Sequence, residues 1–139
     1  MKTLLILLLS FSFAQVSLSQ TETIRERKVV MQLTSPDTMV YKSLMIQLKN
    51  LREADPKIDI EVVCHGPGMN FLKLKNEGKL ENLLANSNGH LTFIACENTM
   101  REKNITKEEL ATNIQFVKAG ILEIIDKQQD GWAYTKAGF

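Results

Sequence analysis

Short apolar runs of β type alternate along the chain with segments of helical periodicity, and this alternation restricts the fold more than any other feature. The predicted strands are residues 28–33, 58–64, 90–96, 115–118 and 132–136. The alternative for residues 115–118 is a continuation of the preceding helix. After the first of them, Val40, Leu44, Leu48 and Leu51 fall on one face of a helix. Strands that alternate with helices form a parallel sheet covered on both faces. The sequence therefore predicts a three-layer α/β/α fold with a five-stranded, mainly parallel sheet.

Capping residues mark where two helices are expected to begin. Ser35, which a proline follows, is the candidate N-cap of the first helix. Further along, Thr106 and Glu109 form a capping box. Ile105 and Leu110 supply the hydrophobic staple that accompanies such a box. We therefore expect a helix that begins at Thr106.

The segment 120–130 has helical periodicity, and Gly131 follows it as a C-terminal stop. We expect its inward-facing residues to be Ile121, Leu122, Ile124 and Ile125. Four acidic residues near the predicted strands and caps are interpreted as solvated or capping groups and not as paired catalytic carboxylates: Asp59, Glu61, Glu108 and Glu109.

The first 19 residues have the layout of a secretory signal, with Lys2 before an apolar run and small residues beyond it. The apolar run is shorter than the roughly 20 residues that cross a bilayer. Cleavage after Ser19 is preferred to cleavage after Ala14, and an uncleaved anchor or a buried first strand is the alternative. We expect residues 1–19 to be a signal peptide, 20–27 a flexible lead-in and 28–139 a single domain. The protein would then be exported without a membrane span, and periplasmic if its source is a Gram-negative bacterium.

The charge balance gives no support to a nucleic-acid partner. The chain has 17 basic and 16 acidic residues, and loss of Lys2 with the signal makes the two numbers equal. Proteins that bind nucleic acid gain much of their affinity by neutralising phosphates with a basic excess. The sequence contains no run of like charge, so a membrane surface is not favoured either.

Cys96 is the strongest candidate for a reactive residue, because a strand ends there and a helix begins on the polar residues that follow. Amide groups at a helix start favour the thiolate, the form that acts as a nucleophile, whereas Glu97 opposes it. The residues expected to stabilise the Cys96 thiolate or to bind an anion are Asn98, Thr99, Met100 and Arg101. The alternative, in which Cys96 only packs, stays open because cysteine is among the most buried residue types.

The loops after the strands are expected to meet at one edge of the sheet, where ligands bind in open α/β folds. His65 follows the second strand and is a candidate base or hydrogen-bond partner for Cys96. It can equally satisfy the backbone of its own turn. Gly66 and Gly68 flank a proline in that turn and are candidate backbone donors to an anion. The longer glycine fingerprints of nucleotide sites do not occur in the sequence.

A second thiol, Cys64, ends the second predicted strand. If the first strand lies between the strands of Cys64 and Cys96, their Cα atoms are about 10 Å apart, beyond the roughly 7 Å that a disulfide spans. We therefore expect two free thiols in the static fold, and the alternative is a disulfide that movement of the loops allows to form. His90 begins the strand that Cys96 ends, roughly 20 Å away, so the histidines and cysteines supply too few ligands for a zinc site. The sequence predicts no metal and no cofactor.

Four motifs, in this order, resemble the DsrE/DsrF-like family over nearly all of residues 28–139. They are residues 62–68 (VVCHGPG), 93–100 (FIACENTM), 119–121 (AGI) and 131–134 (GWAY). The resemblance implies an α/β layered fold with a five-stranded parallel sheet. It also implies a homo-oligomer, either a trimer or a hexamer built from trimers.

Sulfur-relay members of that family carry a cysteine that accepts sulfane sulfur as a persulfide, and Cys96 matches that cysteine by position. His65 matches the family's His-Gly-Pro-Gly turn, and Cys64 has no equivalent role. The resemblance implies an exported sulfur carrier or sulfurtransferase with a sulfur donor or acceptor protein as partner. The signal sequence departs from the well-known relays, which work with cytoplasmic partners. The alternative is a non-catalytic oligomeric module that binds a small ligand or a protein and in which Cys96 is structural.

Overall fold

The computed structural model describes residues 26–139. The predicted signal peptide and all but the last two residues of the predicted lead-in lie outside the described residues. Among residues 26–139, no helix has the length and apolar character needed to cross a membrane.

Within residues 26–139, five strands form one sheet in which every neighbouring pair is parallel. Their bounds are β1 Lys28–Leu33, β2 Asp59–Cys64, β3 Leu91–Cys96, β4 Gln115–Val117 and β5 Ala133–Lys136. Half of the residues of β2 are β-branched and therefore fit a pleated and buried surface. The five predicted strands are confirmed, and no strand end differs from its predicted position by more than one residue.

In the described part of the chain, four α-helices connect the strands: α1 Thr38–Ala54, α2 Glu77–Ala85, α3 Glu97–Lys103 and α4 Gly120–Gln129. Three short 3₁₀ segments complete the described structure: Gly66–Leu72, Leu74–Asn76 and Lys107–Glu109. The spatial order of the strands is β4-β3-β2-β1-β5.

The strand order determines which helix covers which face of the sheet. The chain steps from β1 to β2, β3 and β4 in one direction, so right-handed crossovers place α1, α2 and α3 on the same face. The last connection returns across the whole sheet from β4 to β5. The same handedness then places α4 on the opposite face. The predicted three-layer α/β/α fold is confirmed, with one layer made of a single helix.

The two faces bury cores of very different size. Under α1 and α2 lies the larger core, which includes Leu44, Leu48, Phe71 and Phe93. Under α4 lies a smaller one, whose buried members are Val30, Val63, Ile94 and Ile124. Because side chains alternate along a strand, each central strand contributes to both cores.

The N-cap of α1 is Asp37 and not Ser35, so that prediction was wrong. The Asp37 carboxylate accepts a hydrogen bond from the backbone N–H of Met39 at 2.8 Å. The Ser35 hydroxyl accepts from the backbone N–H of Asp37 at 3.1 Å and therefore lies outside the helix. A carboxylate at this position also interacts favourably with the helix dipole.

The capping box at Thr106 forms, but the helix that it predicted does not continue. Glu109 accepts from the Thr106 backbone N–H at 3.0 Å, yet only the 3₁₀ turn Lys107–Glu109 follows. Leu110 is extended and pairs with Lys73 in an isolated antiparallel bridge. Burial of Leu110 and this pairing draw the chain out of the helix after one turn.

Only one of the four apolar residues predicted to face inward from α4 is buried. Ile124 is 5% exposed, whereas Ile121, Leu122 and Ile125 are 51%, 55% and 43% exposed. Gly120 is also buried, and residues four apart lie on the same side of a helix. α4 therefore contacts the sheet through a narrow stripe, and the apolar residues beside that stripe face outward.

Glu61 is buried, so its interpretation as a solvated residue was wrong. Only 5% of Glu61 is exposed, because it lies in the middle of β2 on the face that α4 covers. The alternation of polar and apolar residues at the start of β2 predicts a strand with one face in solvent. In the structure, the long return crossover places α4 over that face.

Gly68 permits a close approach between two backbones, and a substitution there tests it. A Cβ at Gly68 would lie 2.0 Å from the Leu33 carbonyl oxygen and 2.9 Å from the Thr34 nitrogen. Because backbone atoms cannot easily move aside, Gly68→Ala should destabilise the fold by about 3 kcal/mol in urea unfolding. Gly78→Ala in α2 is the matched control, since a Cβ there meets nothing within 4 Å. It should stabilise the protein by about 0.5 kcal/mol; equal stability of Gly68→Ala and the wild type would contradict the close approach.

Candidate functional site

Cys96 is the last residue of β3 and the N-cap of α3, as the sequence predicted. It is 4% exposed and lies on the α4 face of the sheet. Its Sγ accepts a hydrogen bond from the backbone N–H of Gly120 at 3.2 Å. The first residue of α4 therefore donates a hydrogen bond to the sulfur at the end of β3.

The side chain of Thr99 is the second group held against Cys96. Its hydroxyl oxygen accepts from the backbone N–H of Gly66 at 2.9 Å, and its hydroxyl group is one of the causes that lower the pKa of Cys96. Gly66 has φ of +52°, a conformation that glycine adopts at little cost. The turn after β2 thus orients the Thr99 hydroxyl, which influences the pKa of Cys96 at the end of β3.

These donors determine the acidity of Cys96. Burial by itself raises the pKa of the thiol, but the hydrogen bonds from Gly120 and from the side chain and backbone of Thr99 outweigh burial, so the pKa lies below its ordinary value. The backbone N–H of Asn98 makes the smallest contribution. It also donates to the Lys118 carbonyl at 3.0 Å. A lowered pKa increases the thiolate fraction near neutral pH.

His65 lies next to Cys96 across Gly120. The Cβ atoms of both residues are 3.3 Å from the place where a Cβ on Gly120 would lie. The Nε2 of His65 is 2.8 Å from the side-chain nitrogen of Gln32, whose carbonyl oxygen accepts from the Tyr134 hydroxyl. Gln32 therefore donates to Nε2, which leaves the proton of a neutral ring on Nδ1. Burial lowers the pKa of His65, in agreement with a neutral ring.

The structure brings together some of the predicted site residues and separates others. Gly66 is hydrogen-bonded to Thr99, and Thr99 in turn lowers the pKa of Cys96, while no hydrogen bond links His65 to Cys96 within residues 26–139. Met100 is buried in the larger core. Arg101 is exposed and donates to the Asn98 side chain at 2.7 Å. Its positive charge is not among the causes that lower the pKa of Cys96.

The two cysteines are free thiols on opposite faces of the sheet. β2 and β3 are neighbours, so β1 does not lie between them. Cys64 pairs with Ala95 and belongs with it to the larger core, whereas Cys96 points to the α4 face. The expected absence of a disulfide therefore follows from the direction of the side chains and not from the spacing of the strands. Burial strongly raises the pKa of Cys64, which makes it an unreactive thiol.

His90 lies at the opposite edge of the sheet, where its Nδ1 is 2.7 Å from a carboxylate oxygen of Asp59. Within residues 26–139, no group of three or more histidine, cysteine, aspartate or glutamate side chains is arranged to hold a metal ion. A cleft of about 530 Å³ between α1 and α2 opens near that edge, with Ile60 and Leu91 in its lining. None of the predicted site residues lines it.

Sequence reasoning missed three residues of this site: Gly120, Gln32 and Tyr134. Residues 119–121 were among the motifs that carried the family resemblance, but no role was assigned to Gly120. Gln32 and Tyr134 come from the two strands at the far side of β2. A polar residue one position before the end of a buried strand was the available signal for Gln32.

Comparison with protein families and solved structures agrees with this architecture. A model of the DsrE/DsrF-like family matches residues 27–136. MTH1491 from Methanobacterium thermoautotrophicum, a protein of unknown function, has 26% identity and a TM-score of 0.67, over 80% of this chain and 99% of that one. The ychN protein of E. coli has 12% identity and a TM-score of 0.59, over 80% and 97%, and is similar in fold alone. Comparison with curated proteins gives no match.

The contribution of the Thr99 hydroxyl should be measurable as a change in the pKa of Cys96. Thr99→Val keeps the shape of the side chain but removes a donor to the thiolate, so the pKa of Cys96 should rise by about one unit. The rate of iodoacetamide alkylation as a function of pH, with Cys96 followed by peptide mass, measures this pKa. Thr99→Ser should restore it, and Thr112→Val should leave it unchanged because the Thr112 hydroxyl bonds to Glu77 instead. An unchanged profile in Thr99→Val would show that the hydroxyl has no effect.

Proposed function

The chain belongs to the DsrE/DsrF-like family, and on this premise we propose that it accepts sulfane sulfur on Cys96 as a persulfide and passes the sulfur on. The observation that carries the proposal is the set of hydrogen bonds to the Cys96 sulfur. They lower its pKa in spite of burial. A thiol kept only for packing has no need of such donors.

The proposed reaction is an exchange of sulfur between thiols. The Cys96 thiolate attacks the terminal sulfur of a donor persulfide and forms a sulfur–sulfur bond. The bond between that terminal sulfur and the donor's own sulfur breaks, and the electron pair leaves on the donor thiolate. An acceptor thiolate then attacks the terminal sulfur of the Cys96 persulfide, and Cys96 leaves again as a thiolate.

The neighbouring groups have separate roles in this proposal. The Gly120 N–H and the Thr99 hydroxyl stabilise negative charge on the Cys96 sulfur, both before attack and when Cys96 leaves. His65 is not assigned the role of a base, because Gln32 donates to its Nε2; its Nδ1–H remains available to donate to the sulfur that is transferred.

A second candidate function is a non-catalytic binding module in which Cys96 is structural. The low exposure of Cys96, together with the exposed apolar residues of α4, favours it. The acidity of the thiol separates the two functions, since an ordinary or raised pKa of Cys96 supports the binding module.

Transfer of sulfur to Cys96 is tested by intact mass after incubation with glutathione persulfide. The wild type should gain the mass of one sulfur atom, and Cys96→Ser should gain nothing. Cys64→Ser is the matched control and should behave as the wild type, because the Cys64 thiol is buried on the other face. No added sulfur on the wild type, or equal addition to Cys96→Ser, would contradict the proposal.

We further propose that the protein is exported and forms a homo-oligomer. The signal-like residues 1–19 support export. The three exposed apolar residues of α4 support association, because a second subunit would remove them from water. Native mass spectrometry of protein recovered from the producing cell tests both statements. We expect a trimer or hexamer of chains that begin at Gln20; a monomer, or a chain that retains residue 1, would contradict the corresponding part.

A further inference from the structure

An ion pair is buried between α4 and the sheet, outside the site described above. The Nζ of Lys127 in α4 lies 2.7 Å from Oε2 of Glu61 in β2. Glu61 is 5% exposed, and its second oxygen has no hydrogen-bond partner among residues 26–139. The one strong contact of this carboxylate is therefore with a side chain of α4.

Lys127 is held in place by further groups. Its Nζ is 3.6 Å from a carboxylate oxygen of Glu123, one turn earlier in the same helix. It also lies 4.5 Å from the centre of the Trp132 ring, at a distance where a cation is attracted to an aromatic face. The ammonium group therefore has a defined position above Glu61.

Apolar contacts hold α4 on the sheet only weakly. Ile124 is the one large apolar residue of the helix that is buried, and the core beneath it is small. Apolar packing of this size resists separation of the layers, but with a single large buried side chain it resists sliding less than an extensively interdigitated interface does. A buried and directional ion pair is the contact that specifies where along β2 the helix lies.

The two ends of α4 make the two directional contacts. Gly120, at its start, lies over Val63 and His65 and donates to the Cys96 sulfur. Lys127, seven residues later, contacts Glu61 nearer the start of β2. The helix is a rigid element about 10 Å long between these residues. If one end of the helix slides, the other end therefore moves by the same amount. The hydrogen bond from Gly120 to Cys96 would then weaken, because hydrogen bonds weaken steeply with distance.

We infer that the Glu61–Lys127 pair fixes the position of α4 along β2 and thereby holds the Gly120 N–H on the Cys96 sulfur. Glu61 and Lys127 are positioning residues that act through Gly120. The inference rests on the proposed function only in treating Cys96 as the group that the site activates. Burial raises the pKa of Glu61, as expected for a carboxylate that has lost most of its contact with water.

The test replaces the pair by apolar residues of similar size, which removes the directional contact and leaves no buried charge. The variant is Glu61→Leu with Lys127→Met, and circular dichroism and thermal unfolding confirm its fold. The pH profile of Cys96 alkylation should shift upward by about one unit, so that alkylation near neutral pH slows about ten-fold. Glu123→Gln is the matched control, since it removes a carboxylate near Lys127 but keeps the pair with Glu61. It should leave the profile unchanged.

A folded double variant with the wild-type profile would overturn the inference. If the double variant does not fold, Glu61→Gln replaces it: the neutral amide weakens the pair, and an unchanged profile overturns the inference in the same way. Uptake of sulfur from glutathione persulfide is measured separately. A wild type with an acidic Cys96 that takes up no sulfur refutes the proposed function alone, while an unchanged profile in the variants refutes the positioning role alone.

Discussion

The return of the chain from β4 to β5 is the constraint on which the site depends. β5 pairs with β1 at the far side of the sheet from β4, so the chain must cross all the strands between them. Because such crossovers are right-handed, α4 is the one helix among the described elements that covers this face of the sheet. The start of that helix then lies at the edge where β2 and β3 end, and its first residue contacts the Cys96 sulfur. A sheet with β5 beside β4 would have no reason to place α4 over this thiol.

Cys96 shows how a buried thiol is made acidic without a neighbouring positive charge. Burial works against the thiolate, and hydrogen bonds from Gly120 and Thr99 more than compensate for it. Each donor depends on a different loop, because Gly66 orients the Thr99 hydroxyl and the β4–α4 connection delivers Gly120. The acidity of the thiol therefore depends on two connections at the same edge of the sheet, the turn after β2 and the β4–α4 connection. Cys64 lacks such donors, and its pKa follows burial alone.

Local patterns were sufficient to predict the strands, the long helix α1 and the strand-to-helix turn at Cys96, since neighbouring residues determine these features. Predictions failed where distant contacts decided the outcome. The Thr106 capping box formed, but pairing of Leu110 with Lys73 ended the helix. Glu61 had the pattern of a solvated position, yet a crossover from another part of the chain covers it. Gly120 could not be assigned to the site, because its contact with Cys96 depends on strand order, which the sequence alone did not give.

The placement of the two thiols on opposite faces has a consequence for oxidative damage. Many redox-sensing proteins protect a cysteine sulfenic acid by condensing it with a nearby resolving cysteine. Cys64 is the one other cysteine in this chain, and the sheet itself lies between it and Cys96. In this fold an oxidised Cys96 therefore has no resolving cysteine within its own chain, and a disulfide that protects it from the irreversible sulfinic and sulfonic acids needs a thiol from another molecule.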